Sequence, residues 1–208
     1  MNIDAQYWQT IYANKGDIQT SWYRPHLETS LRLIDGRRLP ANAAIIDVGA
    51  GRSTLVDDLI ARGFRDLTAL DVAPAALTQA RRRLGVAGDL VRWITGDVLS
   101  AELPGSRYDL WHDRAVFHFL TKPDQQERYA AVAARSVREG GYLLVATFAL
   151  DGPEKCSSLP VCRYDAANLA ARFAPAFVPV TDAREEHRTP ADAVQPFTYL
   201  LLRRTDTE

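Results

Sequence analysis

The sequence predicts an α/β domain: a doubly wound, mostly parallel, seven-stranded sheet with helices at its N-terminus and an antiparallel C-terminal hairpin. Three observations predict it. Short apolar runs alternate with helix-period segments between residues 43 and 150. A glycine turn at 49–51 follows the first run at once. Near the end, two apolar runs at 177–186 and 197–204 have no helix between them, which makes them an antiparallel pair.

The elements follow in order. Trp8, Ile11 and Tyr12 suit a short helix, and Leu27, Leu31 and Ile34 suit a second, ended by Gly36 to Pro40. AAIIDV (43–48) is the first strand. Residues 53–62 carry Leu55, Leu59 and Ile60 at helical spacing. LTALDV (67–72) is the second strand, and Pro74 opens a helix whose buried face is Leu77, Ala80 and Leu84. LVRWIT (90–95) and YDLWHD (108–113) are the third and fourth strands. Residues 123–138 form a helix that buries Tyr129, Val132, Ala133 and Val137, with Gly140 and Gly141 as its stop. YLLVATFAL (142–150) is the fifth strand, 165–173 a helix, and the hairpin completes the sheet.

Composition narrows the function. The chain has 208 residues, 47% of them apolar, and a net charge of −1. That is enough for one domain with a full core, here read as a single domain over 1–208. Its parts are an N-terminal helical lid (1–40), a cofactor-binding core (43–150) and an acceptor-side remainder (151–208). A charge near zero argues against nucleic acid as a partner, and the 22 arginines against three lysines are scattered. Two cysteines do not make a disulfide framework. The opening MNIDAQYWQT has neither a basic start nor an apolar run, and no apolar run approaches a membrane span. The expectation is a cytoplasmic protein.

The chemistry gathers at strand ends. Asp47-Val48-Gly49-Ala50-Gly51-Arg52-Ser53 is a strand end, a tight turn and a helix start, where a ligand can touch backbone. Asp71 ends the second strand, 20 residues after Gly51, where a carboxylate can accept two hydrogen bonds from a ribose diol. Gly96-Asp97-Val98 ends the third, where a short carboxylate can meet an adenine amino group. All lie on the edge at which open α/β sheets bind ligands. A dinucleotide fingerprint would need glycine at Thr54. Neither a Tyr four residues before a Lys nor a GK[ST] motif is present, so dehydrogenase and P-loop readings weaken.

The set DVGAGRS, LDV, GDV, YDLWHDRAVFHFL and a Gly-Gly turn into YLLVATF resembles class I S-adenosylmethionine-dependent methyltransferases, over about residues 43–148. The resemblance implies a Rossmann-like fold and S-adenosylmethionine as cofactor. It assigns Asp47, Gly49, Ala50, Gly51 and Ser53 to the methionine part, Asp71 and Val72 to the ribose, and Asp97 and Val98 to adenine. Asp113 and Arg114 match the segment flanking donor and acceptor. Ser53 departs from the pattern, since many members have a third glycine there. The opening YWQTIYANKG…SWYRPH is similar to small single-domain members that fold such a helix over the donor pocket. Some of these act on small molecules and others on protein lysines.

Aromatic faces attract a sulfonium, so Tyr7, Trp8, Trp22 and Tyr23 are lid candidates, Tyr7 and Trp22 as cofactor contacts. Asp113 and His118 are the catalytic candidates. His112, Cys156, Arg163 and His187 are expected on the acceptor side. A Cys156–Cys162 pair could serve a soft acceptor such as trivalent arsenic, a thiol or a selenol. No structural metal is expected. The leading reading is methyl transfer to a small molecule, with protein lysine as the near alternative. A nicotinamide-dependent oxidoreductase and a catalytically silent binding module are the readings of other classes.

Overall fold

The computed structural model describes residues 5–14 and 20–206. Helices α1 (Ala5–Asn14) and α2 (Glu28–Asp35) precede the sheet. Then β1 (Ala44–Val48), α3 (Leu55–Ala61), β2 (Asp66–Asp71), α4 (Pro74–Leu84), β3 (Val91–Thr95), β4 (Tyr108–Arg114), α5 (Pro123–Ser136) and β5 (Val137–Phe148) alternate. A small hairpin of β6 (Lys155–Cys156) and β7 (Leu159–Pro160) follows, then α6 (Ala166–Ala171), β8 (Phe177–Arg188) and β9 (Val194–Arg204).

The main sheet has the order β3-β2-β1-β4-β5-β9-β8. Strands β1 to β5 pair in parallel, and β9 runs antiparallel between β5 and β8. Parallel strands covered on both faces bury every position, and all five residues of β1 are buried. Their side chains alternate between two cores. Ile45, Leu67, Ala69, Leu110, Leu144 and Leu201 face α2 and α3. Ile46, Leu70, Trp111, Leu143, Val145 and Leu202 face α5 and α6. The strand order reverses between β1 and β4, which opens a crevice at their carboxyl ends. Among the described residues no helix is long and apolar enough to cross a membrane.

The elements stand where the sequence places them, with two differences. Gly140 and Gly141 do not stop a helix, because α5 ends at Ser136 and β5 begins at the next residue. The glycines lie inside β5, where its pairing with β4 shifts register between Tyr108 and Leu110. Gly140 has φ +70°, and a Cβ on Gly141 would lie 2.9 Å from the Arg138 carbonyl oxygen. Only glycine fits that bulge. The β6–β7 hairpin was not expected, since two-residue strands leave no periodic signal.

Candidate functional site

The crevice holds two adjoining cavities. The larger, about 760 Å³, is lined by the ends of β1, β2, β3 and β4, by Trp8 and Tyr12 of α1, by Trp22, and by Phe148, Cys156, Gln195 and Phe197. The smaller, about 520 Å³, lies beneath the glycine turn and is lined by Asp47, Ala50, Arg52, Ser53, His112, Thr20 and Arg24 among others. Tyr12, Trp22, Gly49 and Arg114 border both.

The turn after β1 is made for close approach. Gly49 and Gly51 have φ +65° and +52°. A Cβ on Gly49 would lie 2.0 Å from Val116 Cγ2, and one on Gly51 2.4 Å from the Tyr12 hydroxyl. Gly49→Ala therefore combines left-handed backbone strain with a clash, and should destabilise the protein by about 1–3 kcal/mol and close the cavity floor. Urea unfolding of the variant, beside ligand titration, checks both.

The carboxylates are held by backbone. Asp71 Oδ2 accepts from Gly51 N–H (2.8 Å) and Oδ1 from Ala73 N–H (2.8 Å). Burial pushes its carboxyl up to about 6, against the pull of those amides. Asp97 Oδ1 accepts from Leu99 N–H (2.9 Å). Asp47 Oδ1 accepts from His112 Nδ1–H (2.7 Å), and His112 Nε2 accepts from the Ser30 hydroxyl (2.9 Å). Asp47 lines the smaller cavity, and its buried Oδ2 has no hydrogen-bond partner among the described residues.

Aromatic rings roof the crevice. Trp8 makes edge contacts with Trp22 (5.8 Å) and Phe119 (5.2 Å). Arg114 ties the roof to the sheet: Nε donates to Tyr199 Oη (2.9 Å), Nη1 to the Trp22 carbonyl (3.3 Å), and Nη2 lies 3.5 Å from Glu185 Oε1. Its guanidinium stands 4.4 Å from the Phe197 ring centre. Burial would raise the Glu185 carboxyl, but a Thr29 hydrogen bond and Arg114 hold it below its ordinary value.

Residues 45–141 match the family described as a methyltransferase domain. The chain is 37% identical over 105 residues to the malonyl-[acyl-carrier protein] O-methyltransferase of Anoxybacillus flavithermus, covering 50% of this chain and 38% of that protein. It is 23% identical over 143 residues to the eEF1A lysine and N-terminal methyltransferase homolog of Drosophila melanogaster, covering 66% and 21%. The chain thus spans well under half the length of either relative. Among solved structures, one concerned with converting a disulfide bond into a thioacetal group during echinomycin biosynthesis superposes with TM-score 0.79 at 17% identity, covering 97% and 92%. The Burkholderia thailandensis 1,6-didemethyltoxoflavin-N1-methyltransferase, solved with bound 1,6-didemethyltoxoflavin and S-adenosylhomocysteine, gives TM-score 0.69 at 22% identity, covering 97% and 84%. Residues 45–141 thus match a methyltransferase domain, and the solved neighbours support the fold of class I S-adenosylmethionine-dependent methyltransferases.

The methyltransferase domain brings most of the expected cofactor residues to the crevice. Gly49, Asp71, Val72, Asp97, Val98, Arg114 and Trp22 line the larger cavity, and Asp47, Ala50 and Ser53 the smaller. Gly51 lies behind this surface with its N–H on Asp71. Ser53 Oγ accepts from Leu55 N–H (3.0 Å) and caps α3. Tyr7 lines neither cavity; its hydroxyl donates to the Ser157 carbonyl and clasps α1 to the β6–β7 hairpin.

Neither catalytic candidate lines either cavity. Asp113 is fully buried, with its carboxylate bonded to Val116 N–H (2.8 Å), Phe117 N–H (3.0 Å) and Tyr129 Oη–H (2.5 Å). It pins the turn after β4, and its neighbours Arg114, Ala115 and Val116 reach the cavity in its place. His118 is also fully buried, behind the rings of Phe119 and Phe148, and burial followed by Arg114 lowers it to about 3.

The acceptor-side candidates separate. Cys156 lines the larger cavity, and burial pushes its thiol up to about 12, so it stays protonated. Arg163 braces its own loop through the Gly152 carbonyl (3.0 Å) and Glu154 (3.1 Å). His187 donates from Nε2 to the Ser21 carbonyl (2.6 Å) and is buried off the cavity. His112 supports Asp47. Sequence reading missed Tyr12 as a cavity wall, and Phe119, Phe148, Phe197 and Gln195 altogether. The first four read as ordinary core positions, and a lone glutamine carries no motif.

Proposed function

We propose that this chain transfers the methyl group of S-adenosylmethionine to a small-molecule acceptor. One observation carries the reading: Asp71 and Asp97 line one cavity and Asp47 the adjoining one, around a turn that only glycine can make. Each Asp71 oxygen spends one acceptor site on a backbone amide and keeps another for a ribose diol. Asp97 would meet the adenine amino group. Asp47 Oδ2 would accept from the ammonium of the methionine part, with the amides of the turn close by. Bound, the cofactor supplies a methyl group already activated on a sulfonium sulfur. The chain's own work is to align the partners and keep water out under the aromatic roof.

A small acceptor is favoured over a protein lysine. The roof is tied down by Tyr7, His187 and Arg114. Besides Asp71 and Asp97 at the nucleoside end, the larger cavity's described lining offers only Tyr12, Cys156 and Arg114 as titratable groups. The tyrosine and cysteine are pushed up and the arginine stays charged. None can relieve an alkylammonium of its proton at neutral pH, so the acceptor must be nucleophilic without help. The test is thermal stabilisation by S-adenosylhomocysteine, with NAD and NADP as controls. Stabilisation by the homocysteine compound alone is expected, and stabilisation by a nicotinamide nucleotide instead would sink the reading.

A pH dependence follows from Asp71. A ribose diol donates to the ionised carboxylate, whose pKa in the free protein is raised to about 6. Affinity for S-adenosylhomocysteine should therefore fall about tenfold per pH unit below 6 and level off above it. Binding near pH 6 should release a proton, measurable by calorimetry in buffers of different ionisation enthalpy. The same raised pKa makes the unliganded fold lose stability as pH rises from about 4 to 6, by about 3 kcal/mol from this group.

A further inference from the structure

The larger cavity runs along the carboxyl edge of the sheet. Asp71, Val72, Gly96, Asp97 and Val98 stand at one end, and Phe148, Cys156, Gln195 and Phe197 at the other. Four strand spacings separate β2 from β9, roughly 19 Å. The far end therefore has room for a second ligand beyond a nucleoside. Its walls are the rings of Trp8, Trp22, Phe119, Phe148 and Phe197.

Charge at this end is already balanced. Arg114 faces Glu185 at 3.5 Å and stacks on Phe197. An ammonium would meet that guanidinium with no carboxylate of its own on the wall. An anion would compete with Glu185. The Cys156 thiol is buried and protonated, which removes the thiolate pair a soft metalloid would need. Among the described residues that line this end, Gln195 carries the one buried polar atom without a hydrogen-bond partner, its Oε1. Its residue is held in β9 opposite His187, whose Nε2–H is spent on the Ser21 carbonyl. A buried amide oxygen without a donor is costly, and a ligand N–H or O–H would remove that cost.

We propose that Gln195 determines acceptor specificity, and that the acceptor is an uncharged, planar aromatic molecule whose N–H or O–H donates to Gln195 Oε1. The ring would lie among the aromatic walls, where edge and face contacts add to burial. This rests on the methyltransferase reading above and narrows its substrate class.

The test uses the full chain saturated with S-adenosylhomocysteine and ligand-observed NMR. The probes are indole and 7-hydroxycoumarin, their capped twins N-methylindole and 7-methoxycoumarin, and butylamine as a cationic control. A donor probe should bind about tenfold more tightly than its capped twin. Gln195→Leu should remove that difference and leave the capped twin's affinity and the response to S-adenosylhomocysteine unchanged. Gln195→Met serves if the leucine variant does not fold. An equal loss for both twins, binding of butylamine in preference to the rings, or no binding by either donor probe would overturn the proposal. Failure of S-adenosylhomocysteine itself to bind would instead sink the underlying methyltransferase reading, and the two failures are read from separate signals.

Discussion

Asp71→Ala is expected to abolish stabilisation by S-adenosylhomocysteine while leaving the melting temperature of the free protein nearly unchanged. The first half follows from the proposed role of Asp71, whose carboxylate would take the ribose diol. For the intact protein, ligand at 100-fold its dissociation constant adds about 2.7 kcal/mol, or roughly 5–10 °C for a chain of this size. The second half follows from two opposed effects. Removal leaves the amides of Gly51 and Ala73 unpaired, each costing about 1–3 kcal/mol. It also removes a carboxyl whose pKa burial has raised from 3.8 to about 6, which at pH 7 relieves about 3 kcal/mol. The two nearly cancel. A variant that keeps its ligand response would remove Asp71 from the site. One that melts far below the parent would show the carboxylate to be chiefly a brace for the glycine turn.

Arg114→Ala is expected to destabilise the protein by about 1.5–3 kcal/mol, because it removes one charged partner of Glu185, which keeps Thr29, Arg24 and Tyr199. It also unties Tyr199 and the Trp22 carbonyl. Urea unfolding with a double-mutant cycle checks this: Arg114→Met with Glu185→Met should recover most of the loss, since the pair is then replaced by packing. The acid dependence adds a second readout. In the parent, the Glu185 carboxyl is held below its ordinary value, so it contributes stability at neutral pH that is lost as pH falls through that lowered value. Without Arg114 the Thr29 hydrogen bond, Arg24 and Tyr199 still hold the carboxyl down against burial, so the variant should lose less stability than the parent on acidification.

How far the sequence reaches can be judged residue by residue. The glycines of the first turn, Asp71 and Asp97 were legible because each ends an apolar run, and strand ends converge on one edge of a parallel sheet. The same logic singles out Asp113, which the structure buries away from both cavities. It also ends a strand, but the chain turns back there into residues 117–119, and the carboxylate is consumed by Val116, Phe117 and Tyr129. Position along a strand does not reveal which way a side chain's partners lie.

The sequence by itself determined the α/β class, the strand and helix order, and the acids that the glycine turn gathers. Apolar periodicity and turn chemistry are local, and they need only a few neighbours to act. The tertiary structure alone decided the far end of the cavity. Phe119, Phe148, Gln195 and Phe197 come from β5, β9 and the turn after β4. They meet because β9 inserts beside β5 and places Phe197 opposite Phe148. It also decided that His118 is walled off and that Arg114, not a histidine, stands at the centre of the site. Burial and partners are properties of contacts between distant segments, and no local pattern encodes them.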